Sequence, residues 1–336
     1  MVKLCRDCSE LKLERTDFTS PPFEPQDDSR VIVRHGTVGG LREAKAACDL
    51  CQLVWLALGR NDRAVLEHAD ADETWSLAWA QSTNDYQPTK QYGSNRFGSA
   101  LFPTIIATSG SQRGDYGIQL IDEPTTSEFL RGRLVGDEMR VEMLKGWISR
   151  CHHDHGKSCV QSVINLKSLS TTGVPVLTVI DVEELRLCNP PKDTPYVALS
   201  YVWGHDNTPV TLLKNQEAFS QMGGLAIKLP QTIQDALELV KALDFRFLWV
   251  DSLCIVQDDL DKKQSWIDNM DAIYASAVLT LVAATGTAAS SGLSGISTKQ
   301  DRDQQIVTLN SSVRLGILPD YQRELLHCDH AQRAWT

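Results

Sequence analysis

After the proline pair Pro190-Pro191, short apolar runs alternate with stretches of helical periodicity, and this order restricts the chain to few folds. Tyr196 to Val202 is a mostly apolar run ending at Trp203-Gly204, the length and composition of a buried strand. Thr232 to Leu243 places Ile233, Ala236, Leu237, Val240 and Leu243 at helical spacing, with Thr232 and Asp235 spaced as a capping box. Phe247 to Val250 is a second buried run closed by Asp251. A further helix is predicted to carry Trp266, Ile267, Met270, Ile273 and Tyr274 on one face, and Val278 to Ala284 is a third apolar run. Strand, helix, strand, helix, strand in this order predicts an α/β layered domain with a partly parallel sheet.

Asn189 to Pro195 reads as a linker, because paired prolines remove backbone donors and disfavour helix before them. A boundary there divides the chain into residues 1–190 and 196–336. Two domains also suit 336 residues at roughly 100–200 per domain. In the first half, Leu41 to Leu58 and Met139 to Cys151 have helical periodicity, while residues 19–29 and 81–99 read as loops. A smaller α+β domain is expected.

The formal charge of −10 and a pI near 5.3 argue against a nucleic-acid partner, since duplex binding rests on basic patches and no basic stripe is visible. The first residues lack the apolar core of a secretory signal, and the most apolar stretch, Ala275 to Thr285, is too short to span a bilayer as a helix. A cytoplasmic protein without a membrane span is expected. Its nine cysteines are then read as thiols or metal ligands before disulfides.

Cys5-x-x-Cys8 and Cys48-x-x-Cys51 carry the clearest chemistry. A two-residue gap lets both thiolates of a pair face one ion, and two pairs complete a tetrahedral, structural zinc site. Their separation of about 40 residues exceeds the roughly 15–20 of a zinc ribbon. The alternative is that Cys48 and Cys51 face a core on the helical stripe of Ala44 and Trp55. Cys151, His155 and Cys159 repeat at steps of four, but Gly156 interrupts the helix and no fourth ligand is evident, so a polar helix end competes with a second metal site. A zinc-dependent hydrolase is excluded for a four-thiolate site, which leaves no open coordination position.

In open α/β sheets, ligands bind beyond the carboxyl ends of the strands. This singles out Ser200, Tyr201, Trp203, Gly204 and His205 after one strand, and Asp251, Ser252, Cys254 and Gln257 after the other. Trp203 offers a stacking surface, Gly204 close backbone approach, and Asp251 an acceptor for ribose hydroxyls. Equally, Trp203 and Trp249 could be core aromatics and Asp251 a turn cap. Cys254 with His205 and Asp251 has the residue types of a nucleophilic triad, although buried free cysteine is usually inert.

These segments resemble the fungal heterokaryon-incompatibility (HET) domain. Tyr196-Val-Ala-Leu-Ser-Tyr-Val-Trp-Gly204 is similar to its opening motif, and Leu229-Pro-Gln-Thr-Ile-Gln-Asp-Ala236 to its second block. Phe247-Leu-Trp-Val-Asp-Ser-Leu-Cys-Ile-Val-Gln-Asp-Asp259 is the most specific match. Met270 to Ala277, Leu279 to Ala284, and Arg333-Ala-Trp-Thr336 follow in the family's order. Cys5, Cys8, Cys48, Cys51, Trp147, Cys151, His155 and Cys159 are similar, more loosely, to regions that precede such domains.

The resemblance implies a role in fungal self/non-self recognition, or innate immunity, that ends in programmed cell death. Partners would be other incompatibility proteins or a second copy of the chain. Distant similarity of HET to TIR domains implies a flavodoxin-like sheet and, as an alternative activity, NAD+ glycohydrolysis. Asp251 would then be the catalytic acid with Asp268 assisting, and Ser200, Tyr201, Trp203, Gly204, Ser252 and Cys254 would bind the nucleotide. Two departures bear on this. The position where many relatives carry glutamate holds Trp266. The closing motif usually continues into Gln-Glu, whereas this sequence stops at Thr336, so a domain truncated at its C-terminal end is expected.

Overall fold

The computed structural model describes residues 2–19, 32–58, 63–64, 66–68, 71–81, 99–107, 110–113, 116–121, 132–155, 176–192, 194–205, 208–299, 304–318 and 328–332. They form two compact units: residues 1–135 with 302–324, and residues 136–301 with 325–336. The two stretches read as loops, 19–29 and 81–99, lie outside the described residues apart from Thr19, Gln81 and Ser99 at the ends of regular elements.

The first unit is built on a 7-stranded sheet. Its strands are β1 (Ile32–Thr37), β2 (Thr74–Gln81), β3 (Ser99–Ala107), β4 (Gly110–Arg113) and β5 (Gly117–Leu120), joined by β11 (Ile306–Thr308) and β12 (Arg314–Leu318). The order is β1-β2-β3-β5-β12-β11, β4 pairs with β3, and every pairing is antiparallel. Helices Val38–Ala44 and Asp49–Ala57 supply the apolar cover. Leu50, Leu53, Val54 and Trp55 from the second helix are buried with Trp75, Leu77, Ile118 and Leu315 from the sheet. Each such leucine or valine contributes about 1.5–3 kcal/mol of transfer free energy.

Leu41 to Leu58 is therefore two helices where the periodicity predicts one. The break falls at Cys48, whose extended backbone (φ −131°, ψ 116°) caps the second helix. Periodicity does not register this break, because the apolar spacing continues across it.

The second unit contains β6 (Val179–Asp181), β7 (Arg186–Cys188), β8 (Val197–Ser200), β9 (Phe247–Val250) and β10 (Leu279–Val282), in the order β10-β8-β9-β6-β7. β10, β8 and β9 are mutually parallel, whereas β6 pairs antiparallel with β9 and with β7. The sheet is thus mixed, and the expected α/β class with a partly parallel sheet is what forms. Every residue of β8 and β9 is buried, which is why these runs are apolar without alternation up to the terminal Ser200. Helix Gln231–Ala242 links β8 to β9.

Three sequence expectations differ from this unit. The division into units lies at 135/136 rather than in the Pro190-Pro191 linker, because β6 and β7 precede those prolines yet complete the sheet, with Ile180 opposite Leu248. The stretch carrying Trp266 to Tyr274 is two helices, Leu260–Ile267 and Met270–Ser276, separated at Asp268-Asn269. Trp266 and Ile273 are buried, while Ile267 is exposed. Thr232 and Asp235 do not form a capping box. Pro230 holds the N-cap position without a side-chain bond, and Thr232 and Asp235 lie on the buried helix face. There Thr232 accepts from Gly292 N–H, and Asp235 accepts from Leu293 N–H and Ser297 hydroxyl, tying a distant loop to the helix.

No helix among the described residues is long and apolar enough to cross a membrane.

Candidate functional site

Two clusters of chemistry-bearing side chains emerge, one in each unit. In the first, a single turn, Arg6–Ser9, follows Cys5 and buries Cys8, while the N-terminus of helix Asp49–Ala57 presents Cys48 and Cys51. The four sulfurs lie within 4.8 Å of one another. Cys51 Sγ is 3.8 Å from Cys5 Sγ and 3.7 Å from Cys8 Sγ. Zinc–sulfur bonds of about 2.3 Å in a tetrahedron place neighbouring sulfurs about 3.8 Å apart. The thiol set is therefore one that a tetrahedral ion fits, and these residues could bind a metal. Cys48 also belongs to helix capping, accepting from Cys51 N–H at 3.5 Å.

Arg34 of β1, which the sequence did not single out, reaches the same cluster. Its guanidinium donates to Cys8 Sγ, lies 3.3 Å from Cys51 Sγ and 3.8 Å from Cys5 Sγ, and pairs with Asp7 at 3.3 Å. The hydrogen bond from the Cys8 thiol holds Cys51 down to about 5 against the effect of burial, and the Arg34 donor pulls the same way. The Cys8 thiol is raised in turn by that shared hydrogen bond and by burial.

For Cys151, His155 and Cys159, helix Val141–His155 carries Cys151, whereas Cys159 and the His155 side chain lie outside the described residues.

In the second unit, β8 and β9 lie side by side and parallel, with Val197 opposite Leu248 and Leu199 opposite Val250, so their carboxyl ends lie together. Trp203 donates its indole N–H to both Asp251 oxygens at 3.0 Å, joining the two tips. Asp251 also accepts from Ser252 N–H at 2.8 Å. Tyr201 donates to Ser252 Oγ at 2.9 Å, and Ser200 Oγ lies 2.7 Å from His330 Nε2. Gln257 donates to the Asp251 and Ile255 carbonyls and so fixes the turn after β9.

Gly204 has φ +69°, a conformation that favours glycine, and a Cβ there would stand 2.6 Å from Ala288 Cβ. The close approach at Gly204 is thus made to the chain itself. Ser200, Tyr201, Asp251, Ser252 and Cys254 are all buried, while Trp203 is half-buried.

Asp268 is placed apart from this cluster. It is exposed at the end of helix Leu260–Ile267 and accepts from Gln264 at 2.8 Å. Cys254 receives Val250 N–H at 3.3 Å, and burial pushes its thiol well up, while His205 is exposed. No hydrogen bond among the described residues joins Cys254 to His205, so the triad of residue types does not assemble. Trp266, at the family's glutamate position, packs into the core. His330 is the contact that sequence reasoning missed, because nothing in its spacing pointed to Ser200.

A pocket of about 370 Å³ lies along β7, lined in part by Arg186, Cys188, Asn189, Thr211 and Cys254. Of the residues singled out at the strand ends, Cys254 lines it and Ser200, Trp203 and Asp251 do not.

Comparison with known proteins bears on this unit. Residues 196–336 match the family model for heterokaryon incompatibility protein (HET). A curated protein of Neurospora crassa, heterokaryon incompatibility protein 6, OR allele, is 31% identical over 88 residues, covering 24% of this chain and 13% of that protein. The match thus spans about an eighth of that relative's length. No solved structure matches the chain. The matched region begins at Tyr196 and contains β8, β9, β10 and the polar tips of β8 and β9, so the likeness to the HET family lies in residues 196–336.

Proposed function

We propose that this chain acts in heterokaryon incompatibility as a cytoplasmic signalling module. It responds to non-self after cell fusion, a form of fungal innate immunity, and drives programmed cell death through other incompatibility proteins or through a second copy of itself. The observation that carries this reading is the HET match over a region that contains strand tips whose polar groups are bonded to one another. Asp251 is taken up by Trp203 and Ser252, Ser252 by Tyr201, and Ser200 by His330. Groups saturated in this way hold a surface in shape and leave few donors or acceptors for a small substrate.

The first unit is proposed to hold a structural zinc ion on Cys5, Cys8, Cys48 and Cys51, since sulfur spacing and ligand type both suit that ion. Zinc would tie the N-terminal turn to helix Asp49–Ala57 and contribute directly to folding.

A second reading, NAD+ glycohydrolysis, draws support from the convergence of the β8 and β9 tips and the half-buried Trp203 face. It lacks a carboxylate at Trp266, and Asp268 is directed elsewhere.

Expression of the chain in fungal cells tests the first reading. Growth arrest and death are expected, and the same growth as an empty-vector control would refute it. Incubation of the purified chain with NAD+ separates the second. Released nicotinamide would establish the enzyme, and no release alongside cell death would leave signalling alone.

A further inference from the structure

The geometry points to Arg34 as the charge-compensating residue of the four-cysteine centre, hydrogen-bonding its sulfurs so that they hold a divalent ion as thiolates. This rests on the metal reading above and adds to it a residue outside the ligand set.

The Arg34 side chain is only 12% exposed, and its Nε is buried with no hydrogen-bond partner among the described residues. A guanidinium in such a place requires a compensating negative charge. Asp7 is a weak candidate: at 3.3 Å it is within reach, but it is 71% exposed, and exposed pairs contribute little. The other partners of Arg34 among the described residues are Cys8, Cys51 and Cys5, and the Trp75 ring, whose centroid is 5.3 Å away. A neutral thiol is a weak acceptor, so these sulfurs serve the guanidinium best as thiolates. Four thiolates around a divalent ion carry two net negative charges, and the guanidinium fork meets three of those sulfurs at once.

The chain is built to place the residue there. Arg34 stands in β1 opposite Leu77, two residues along from Gly36 opposite Trp75. A Cβ at Gly36 would come 3.1 Å from the Trp75 indole nitrogen, so a side chain at that position would crowd the indole that carries the guanidinium. Outer-shell partners that bond metal ligands typically change metal affinity by roughly 10–100-fold when removed.

The test uses the full chain and two metals. Wild type is first assayed for zinc content and for Co2+ uptake, followed by its thiolate-to-cobalt charge-transfer band. Failure to take up either ion overturns the metal reading, and this inference with it. If wild type binds, zinc affinity is measured by chelator competition in Arg34→Met and Arg34→Lys. Arg34→Met is expected to bind zinc roughly 10–100-fold more weakly, with a shifted cobalt band. Arg34→Lys, which keeps the charge but not the fork, should fall between it and wild type. Wild-type affinity and an unshifted band in Arg34→Met would overturn the role of Arg34 while leaving the metal site standing. If Arg34→Met does not fold, Arg34→Lys decides: a several-fold loss with a shifted band supports the inference, and wild-type values refute it.

Discussion

Replacing Asp251 by alanine probes the bond that joins the tips of β8 and β9. The carboxylate, 8% exposed, accepts from the Trp203 indole at 3.0 Å and from Ser252 N–H at 2.8 Å. A hydrogen bond to a charged acceptor contributes about 1.5–3 kcal/mol, and a buried donor left without a partner stands at the upper end of that range. Ser252 is fully buried, so its N–H counts high. Trp203 is half-buried and can turn towards water, so its bond counts low. Together they set an expected loss of about 3–5 kcal/mol for Asp251→Ala, a large part of the roughly 5–15 kcal/mol of an ordinary domain. Asp251→Asn keeps an oxygen for one donor and should lose only about 1–2 kcal/mol. Urea unfolding of the full chain, followed by tryptophan fluorescence and by circular dichroism, measures both. A loss below about 1 kcal/mol in Asp251→Ala, or equal losses in the two variants, would refute the assignment of these bonds. The near-isosteric variant also serves the functional question. Cell death abolished in Asp251→Asn, with the chain still folded in spite of that smaller loss, would tie signalling to the charge and not to folding.

Gly204→Ala forces a side chain into the left-handed region and into Ala288, and a destabilisation of about 2–4 kcal/mol is expected; a change in unfolding midpoint too small to resolve would refute the close approach. Asp181 supplies a pH dependence. Burial pushes its carboxyl up, but the Arg246 guanidinium at 2.9 Å and the N–H groups of Glu184 and Glu183 outweigh it and hold the carboxyl below its ordinary value. A depressed carboxyl contributes stability that is complete above its unfolded value, about 3.9, and is lost as pH falls below it towards the folded value. Wild type should therefore lose stability below about pH 4 more steeply than Asp181→Asn, and parallel profiles for the two would show that Asp181 carries none of the slope.

Residues 197–199 and 247–250 could be read as strands from sequence because a strand covered on both faces is driven to be apolar along its length. The cysteine pairs were legible for a comparable reason: a two-residue gap is itself a statement about which side chains can share an ion. The HET motifs were legible as ordered blocks. Other features had no local signature. Whether the apolar stripe from Leu41 to Leu58 is one helix or two depends on Cys48 leaving the helix to join Cys5 and Cys8, residues far away in the chain. Arg34 is an ordinary basic residue until β1 pairs with β2 and sets it over Trp75. Thr232 and Asp235 have the spacing of a cap, and only the return of residues 292–297 shows that they bond that loop instead. His330 meets Ser200 across 130 positions. The sequence by itself determined the element types, the pairing of the cysteines and the likeness to HET, because periodicity, burial pattern and short spacings are local quantities. Only the tertiary structure decided the extent of each unit, the partner of each polar tip and the company of the thiols, because those depend on contacts between segments whose separation no local pattern encodes.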